Sequence, residues 1–215
     1  MAKIAVLGTG DVGQQIGKKL VALGHEVRLG SRSVDNAKAV AWASAVGAKG
    51  APATFADAVR FADELVFFCG LGQAANEILG AAGDALTGKI VVDLSNPLDF
   101  SKGFPPSLTV CNTTSLSEQI QAAFPAARVV KTLNTMSNPV MVNPGALPEA
   151  TDILLCGNDA EAKGRVVDVL RSFGWERVID LGDLTNARGM EAWLLLWVRL
   201  YGALKTPMFN IRIVR

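Results

Sequence analysis

The sequence predicts an α/β fold of the Rossmann type: a doubly wound, mostly parallel sheet with a small carboxyl-terminal α/β extension. Three observations predict it. Short continuous apolar runs recur along the chain (KIAVLG, HEVRLG, ELVFFC, KIVVDL, RVVKTL, DILLCG and WERVIDL), the pattern of strands buried on both faces. Amphipathic stretches separate them, as crossover helices do in a parallel sheet. The first run ends in Gly8, Gly10 and Gly13, a G-x-G-x-x-G turn between strand and helix, which is the context of dinucleotide binding.

The elements follow in order. Val12, Ile16, Leu20 and Leu23 recur at helical spacing after the glycine turn, and Gly24-His25 ends that helix before HEVRLG. SVDNAKAVAWASAV reads as a second helix with Ser33 as its N-cap, and QAANEILGAAGDAL as a helix after ELVFFC. SNPLDFSKGFPPS is dense in Pro, Gly and Ser and reads as a loop; it follows KIVVDL, at the sheet edge where open α/β folds bind ligands. NTMSNPVMVNPGALPEA, with Pro139, Pro144 and Pro148, is a second irregular loop after RVVKTL, and the two together imply a cleft.

From Thr151 the pattern changes to strand DILLCG, helix DAEAKGRVVDVLRSFG, strand WERVIDLG, helix NARGMEAWLLLWVRLYGAL and a terminal segment MFNIRIVR. The chain thus divides into an expected NADP-binding Rossmann domain over residues 1–150 and a small unit over residues 151–215 that walls the cleft. Trp193 and Trp197 lie one turn apart in the last helix, with Tyr201 continuing the stripe, so a homodimer is expected through that face.

Composition narrows the function. Half of the 215 residues are apolar, enough for a sizeable core. Twenty-one Lys and Arg against twenty Asp and Glu leave a net charge of +1, without the basic excess of a nucleic-acid-binding chain. The three cysteines, Cys69, Cys111 and Cys156, lack metal-ligand spacing and read as small buried thiols in a reducing cytoplasm. The amino-terminal apolar run stops at the glycine turn, so it reads as a strand and not a signal peptide. AWLLLWVRLYGAL is interrupted by Arg199 and is shorter than the roughly twenty apolar residues of a membrane span, so no membrane partner is expected.

The glycines have separate tasks: the first permits the tight turn, the second lets the backbone approach a pyrophosphate, and the third allows close helix–strand packing. Thr9 adds a hydroxyl donor, and the helix amino terminus offers free N–H groups to the anion. NAD-selective domains place an acid at the end of the second strand, about twenty residues on, to hold the ribose 2′-hydroxyl. Here RLGSRSVDNAK offers Ser31 and Arg32 instead, a hydroxyl and a guanidinium fork suited to a 2′-phosphate, so NADP(H) is expected. The expected cofactor-binding residues are Gly8, Thr9, Gly10, Asp11, Val12, Gly13, Ser31, Arg32, Cys69, Gly70, Asn96, Pro97 and Asn134. Lys131 and Asn134 in VVKTLNT stand near a strand's carboxyl end, where contact with nicotinamide or substrate competes with a solvated position for Lys131.

Catalytic equipment is sparse. The one histidine, His25, lies in the turn before HEVRLG, at the sheet edge away from the cofactor, and reads as structural. No catalytic residue is assigned.

GTGDVG, GHEVRLGSR, DLSNPLD, VVKTLNT and LTNARGMEAW, which together span most of the chain, resemble the NADPH-dependent reductases of the deazaflavin coenzyme F-420. That resemblance implies NADP bound by Gly8, Thr9, Gly10, Gly13, Ser31 and Arg32. It also implies a cleft closed by the carboxyl-terminal unit at Leu184 to Glu191, and hydride passing directly between nicotinamide and an F-420 or flavin-like acceptor. Two stacked rings held at reacting distance need no histidine base. The chain departs from the family's pattern at Asp35 and Asn36, where a basic residue is usual, and at GLGQAAN, where a proline-bearing loop is usual. The family in turn resembles the cytosolic domain of membrane-bound ferric reductases, which makes flavin a second expected acceptor. Two other readings share the amino-terminal fold: a reductase of a small carbonyl or imine, and a non-enzymatic NADPH-binding redox sensor.

Overall fold

The computed structural model describes residues 1–214. The chain runs through β1 (Lys3–Leu7), α1 (Asp11–Ala22), β2 (Glu26–Ser31), α2 (Ala37–Val46), β3 (Gly50–Thr54), α3 (Phe55–Phe61), β4 (Leu65–Phe68), α4 (Ala75–Gly80) and β5 (Ile90–Asp93). It continues through β6 (Leu98–Asp99), β7 (Ser107–Leu108), α5 (Leu116–Ala123), β8 (Arg128–Thr132), α6 (Asn138–Val142), β9 (Asp152–Gly157), α7 (Ala160–Phe173), β10 (Arg177–Asp180) and α8 (Ala187–Leu204). Eight strands form one sheet in the order β10-β9-β8-β5-β4-β1-β2-β3. All neighbours pair in parallel except β8 and β9, which are antiparallel, with Thr132 opposite Leu155. The strand order reverses between β1 and β4, which is where a doubly wound sheet opens a crevice at its carboxyl rim.

Each central strand feeds two cores. Ile4 and Val6 of β1 face Ile16 and Leu20 of α1, while Ala5 and Leu7 face Ala58 and Val59 of α3. The same alternation continues across the sheet, so α1, α2, α6 and α7 cover one face and α3, α4, α5 and α8 the other. A fully buried aliphatic side chain contributes about 1.5–3 kcal/mol, so the continuous apolar runs have a direct energetic reason. Trp42 of α2 lies so close to α1 that a β-carbon on Gly17 would stand 2.7 Å from its ring, and its indole donates to the Gln14 carbonyl at 3.1 Å.

Several local expectations are corrected. GAPAT forms the edge strand β3 and FADAVRF the helix α3, although Pro52 and the lack of a long apolar run hid the strand. The cap of α2 is Asn36, whose side chain accepts from the Lys38 and Ala39 N–H groups at 3.1 Å; Ser33 lies upstream, with its hydroxyl on Asp35. α4 ends at Gly80 and only a 3-10 turn follows, because the chain bends at Gly83 with φ of 52°. SNPLDFSKGFPPS is not loop throughout: β6 and β7 pair antiparallel, Leu98 with Leu108. NTMSNPVMVNPGALPEA contains α6, with a proline in its first turn. SLSEQIQAA, unassigned from sequence, is α5. Among the cysteines only Cys156 is buried; Cys69 is half-buried and Cys111 exposed.

β9 and β10 extend the same sheet, and the terminal segment returns to it, with the Asp152 N–H donating to the Ile211 carbonyl at 2.9 Å. Among the described residues no helix is long and apolar enough to cross a membrane.

Candidate functional site

The carboxyl rim brings the ends of β2, β1, β4, β5 and β8 side by side. At the end of β1, Gly8 has φ of +122°, and a β-carbon there would meet the Cys69 carbonyl at 2.9 Å. Around Gly10, in contrast, nothing lies within 4 Å of the added carbon, so the backbone is open to a ligand on that side. Gly10 also starts α1 with no side chain capping it, which leaves first-turn N–H groups for an anion. These are the features a pyrophosphate requires, and the turn fits the group. Asp11 and Val12 sit in the first turn of α1, and Thr9 is held by its carbonyl, which accepts from the Gln14 side chain at 2.9 Å.

Cys69 and Gly70, at the end of β4, form the floor beside the turn. Burial, and then the Asp93 carboxylate, push the Cys69 thiol well above its ordinary range. It therefore serves as a small neutral wall residue and not as a nucleophile.

The adenosine end differs in detail from the sequence expectation. Ser31 is the last residue of β2 and is buried, its hydroxyl donating to the Ser33 carbonyl. The Arg32 guanidinium is exposed and forks onto Glu77 of α4, with Nε to Oε1 at 2.7 Å and Nη2 to Oε2 at 3.3 Å. The hydrogen bond and charge of Arg32 hold the Glu77 carboxyl below its ordinary range, and Glu77 in turn raises Arg32. An acid therefore stands at this end of the crevice after all, supplied from α4. No local pattern announces it: Glu77 is one more polar residue of an amphipathic helix.

At the other end, three strands on from β2 at β5 and four at β8, Asn96 follows β5 and Asn134 follows β8. Asn134 Nδ2 donates to Asn96 Oδ1 at 2.9 Å and to the Met190 carbonyl of α8 at 3.0 Å, while Asn96 Nδ2 donates to the Asn134 carbonyl at 3.2 Å. Asn134 Oδ1 is buried without a partner, leaving an acceptor beside the rim. The preceding residue, Leu133, is buried with φ of 62°, a left-handed conformation costly for a leucine and held by its surroundings. Pro97 is buried, and its carbonyl accepts the Thr109 N–H at 2.8 Å, which ties the β6–β7 hairpin to the rim.

Lys131 is not a solvated strand residue. It is fully buried, and its ammonium binds Asp93 at 3.0 Å, Glu191 at 3.1 Å and the Ser95 carbonyl. Burial alone would lower its pKa; the two carboxylates more than offset that and hold it above the ordinary lysine value. Two acids against one base would leave a buried negative charge. The Leu116 and Ser117 N–H groups, at the amino terminus of α5, donate to Glu191 at 2.8 and 3.2 Å and compensate it. The cluster joins β5, β8, α5 and α8 directly beneath the Asn96–Asn134 pair. Arg188 adds a second link from α8 to α5, donating to Glu118 at 2.9 and 2.6 Å. Sequence reading missed Asp93 and Glu191, yet a lone acid in MEAWLLLW and opposite charges ending two apolar strands were signals of a buried pair.

His25 is half-buried at the opposite edge, away from the rim; burial, then the amino terminus and Lys49, lower its pKa. Among the described residues no cluster of three or more His, Cys, Asp or Glu is placed to hold a metal.

Fold and rim together place the molecule among the dinucleotide-binding α/β oxidoreductases. Comparison with known proteins narrows that class. Residues 3–97 match the family model described as NADP oxidoreductase, coenzyme F-420-dependent. The F-420-dependent NADP reductase of Methanocaldococcus jannaschii is 30% identical over 220 residues, covering 98% of this chain and 97% of that one. A crystal structure of a candidate F-420-dependent NADP-reductase from Arthrobacter sp. FB24 superposes with a TM-score of 0.95 at 47% identity, covering 100% of both chains. The metalloreductase STEAP3 of Rattus norvegicus is 30% identical over 205 residues; they cover 95% of this chain but only 38% of that longer protein. The chain belongs to the family of F-420-dependent NADP oxidoreductases, enzymes that use NADP(H).

Proposed function

We propose that the protein transfers hydride between NADP(H) and a deazaflavin, F-420, or a flavin-like acceptor. The observation that carries this is the placement along one rim of an open glycine turn at Gly10 and an amide pair, half-buried Asn96 and buried Asn134, whose Oδ1 is without a partner among the described residues. The first suits a pyrophosphate, and the second suits the carboxamide of a nicotinamide. Bound NADPH supplies the hydride. The chain's own tasks are to hold the nucleotide at Gly8 to Gly13, to receive the 2′-phosphate at Ser31 and Arg32, and to floor the crevice with Cys69, Gly70 and Pro97. Lys131, Asp93 and Glu191 are buried in mutual pairs and His25 stands at the opposite edge, so ring positioning and exclusion of water carry the catalysis.

The unit over residues 151–215 closes the acceptor side through α8, whose Met190 carbonyl already meets Asn134. The outer half of α8 carries Leu196, Tyr201 and Leu204 exposed, and Trp197 stacks on Tyr201 at 5.7 Å and on Phe209 at 5.3 Å between ring centroids. A homodimer through this face follows, with sedimentation as its test: monomer alone at micromolar concentration removes it. A cytoplasmic location agrees with a free thiol at exposed Cys111.

The deciding experiment follows NADPH oxidation with F-420, FMN, FAD, quinones and small carbonyls as acceptors. Turnover is expected with the deazaflavin or a flavin. Tight NADPH binding with no oxidation across the panel overturns the enzymatic reading in favour of a sensor, and turnover of carbonyls alone overturns the choice of acceptor.

A further inference from the structure

The Arg32–Glu77 pair spans the crevice mouth. Arg32 follows β2 and Glu77 lies in the helix after β4, and these two strands flank β1 with its glycine turn. A nucleotide whose pyrophosphate sits at Gly10 must extend its adenosine toward the end of β2, under or through this bridge. Both carboxylate oxygens are engaged by the Nε–Nη2 edge of the guanidinium, so Glu77 competes with an incoming phosphate for the charge of Arg32 and for one of its two forks.

Resting on the assignment of Arg32 to the 2′-phosphate, we propose that Glu77 is a specificity-determining residue: it competes with the 2′-phosphate for Arg32 and so holds the preference for NADP(H) over NAD(H) below what Arg32 alone would give. The two side chains are 73% and 57% exposed, so the pair is weak and readily exchanged. A phosphate monoester brings nearly two charges and three acceptor oxygens, and draws the guanidinium away. NAD(H) has no such group and leaves the bridge closed. Asp35, in the loop after β2, accepts from the Ser33 hydroxyl, and the acid that pairs with Arg32 is Glu77.

The test is calorimetric binding of NADPH and NADH to the wild type, to Glu77→Gln, to Arg32→Ala and to the double variant. Glu77→Gln frees Arg32, so NADPH is expected to bind about fivefold more tightly, with NADH changed less than about twofold. NADPH affinity in Glu77→Gln should also fall more steeply with salt, since a free guanidinium meets the phosphate. In the Arg32→Ala background the gain should shrink to less than about twofold. Weaker or unchanged NADPH binding in Glu77→Gln, or an equal change for both nucleotides, overturns the proposal while leaving the 2′-phosphate assignment intact. Equal loss of NADPH and NADH in Arg32→Ala identifies failure of that assignment itself.

Discussion

The carbonyl oxygen of Gly8 lies 2.0 Å from the point at which a β-carbon on Gly13 would stand. Turn and helix are therefore locked together by the absence of a side chain. Gly13→Ala should displace the turn and destabilise the fold by about 1–3 kcal/mol, the usual range of overpacking, seen as a lowered denaturation midpoint. Gly10→Ala is the contrasting case, because no atom lies within 4 Å of its added carbon. It should fold with wild-type stability yet lose NADPH affinity, and a stability loss matching that of Gly13→Ala would refute the division of roles.

Arg32→Ala should weaken NADPH binding by about 1–3 kcal/mol, the worth of a charge-assisted contact, and leave NADH nearly unaffected. Its exposed pair with Glu77 predicts little change in thermal stability. Titration of both nucleotides checks the first expectation and calorimetry the second.

Lys131→Met leaves Asp93 and Glu191 buried without their base. A loss of about 3–5 kcal/mol is expected, since removing one partner of a buried ion pair strands the other. Urea unfolding measures it. A loss below about 1 kcal/mol would show that the α5 amino terminus alone satisfies the acids.

Acid should act in two stages. His25 has a folded pKa below its ordinary 6.5, so the unfolded chain takes up the proton first; stability is full above pH 6.5 and declines as pH falls toward the folded value. Glu118 has a folded pKa below its ordinary 4.5, through the hydrogen bond from Arg188, so its contribution is lost only below pH 4.5. Melting curves from pH 7.5 to 3 should show both windows, and His25→Asn should flatten the upper one alone.

The fold was legible because its cause is local: runs such as KIAVL and IVVD are apolar on both sides, and the glycine spacing of the turn has one economical use. The edge strand β3 and helix α3 escaped because an edge needs no apolar run, and Pro52 argues against a strand until its outer side is known to be open. Ser33 and Asn36 are both good caps, and only the path of the loop selects Asn36. At the site, spacing singles out the glycine turn and the Ser31–Arg32 pair, and the chain sets both at one rim of the sheet. Glu77 was not, because its relation to Arg32 spans 45 residues and depends on which helices flank β1. Lys131 was seen but misplaced; its two acids lie on β5 and α8, and only the β5–β8 register brings Asp93 beside it.

The antiparallel step between β8 and β9 makes the two ends of the barrel-free sheet unequal. β9 runs back from the crevice and ends with β10 at the opposite rim, where the Gly157 N–H meets the Gly182 carbonyl at 3.0 Å. Exposed Asn158 and Leu181 lie there, far from the glycine turn. That far rim offers a place to anchor the molecule to a bead or electrode, with the crevice mouth left facing the solution and free to exchange nucleotide.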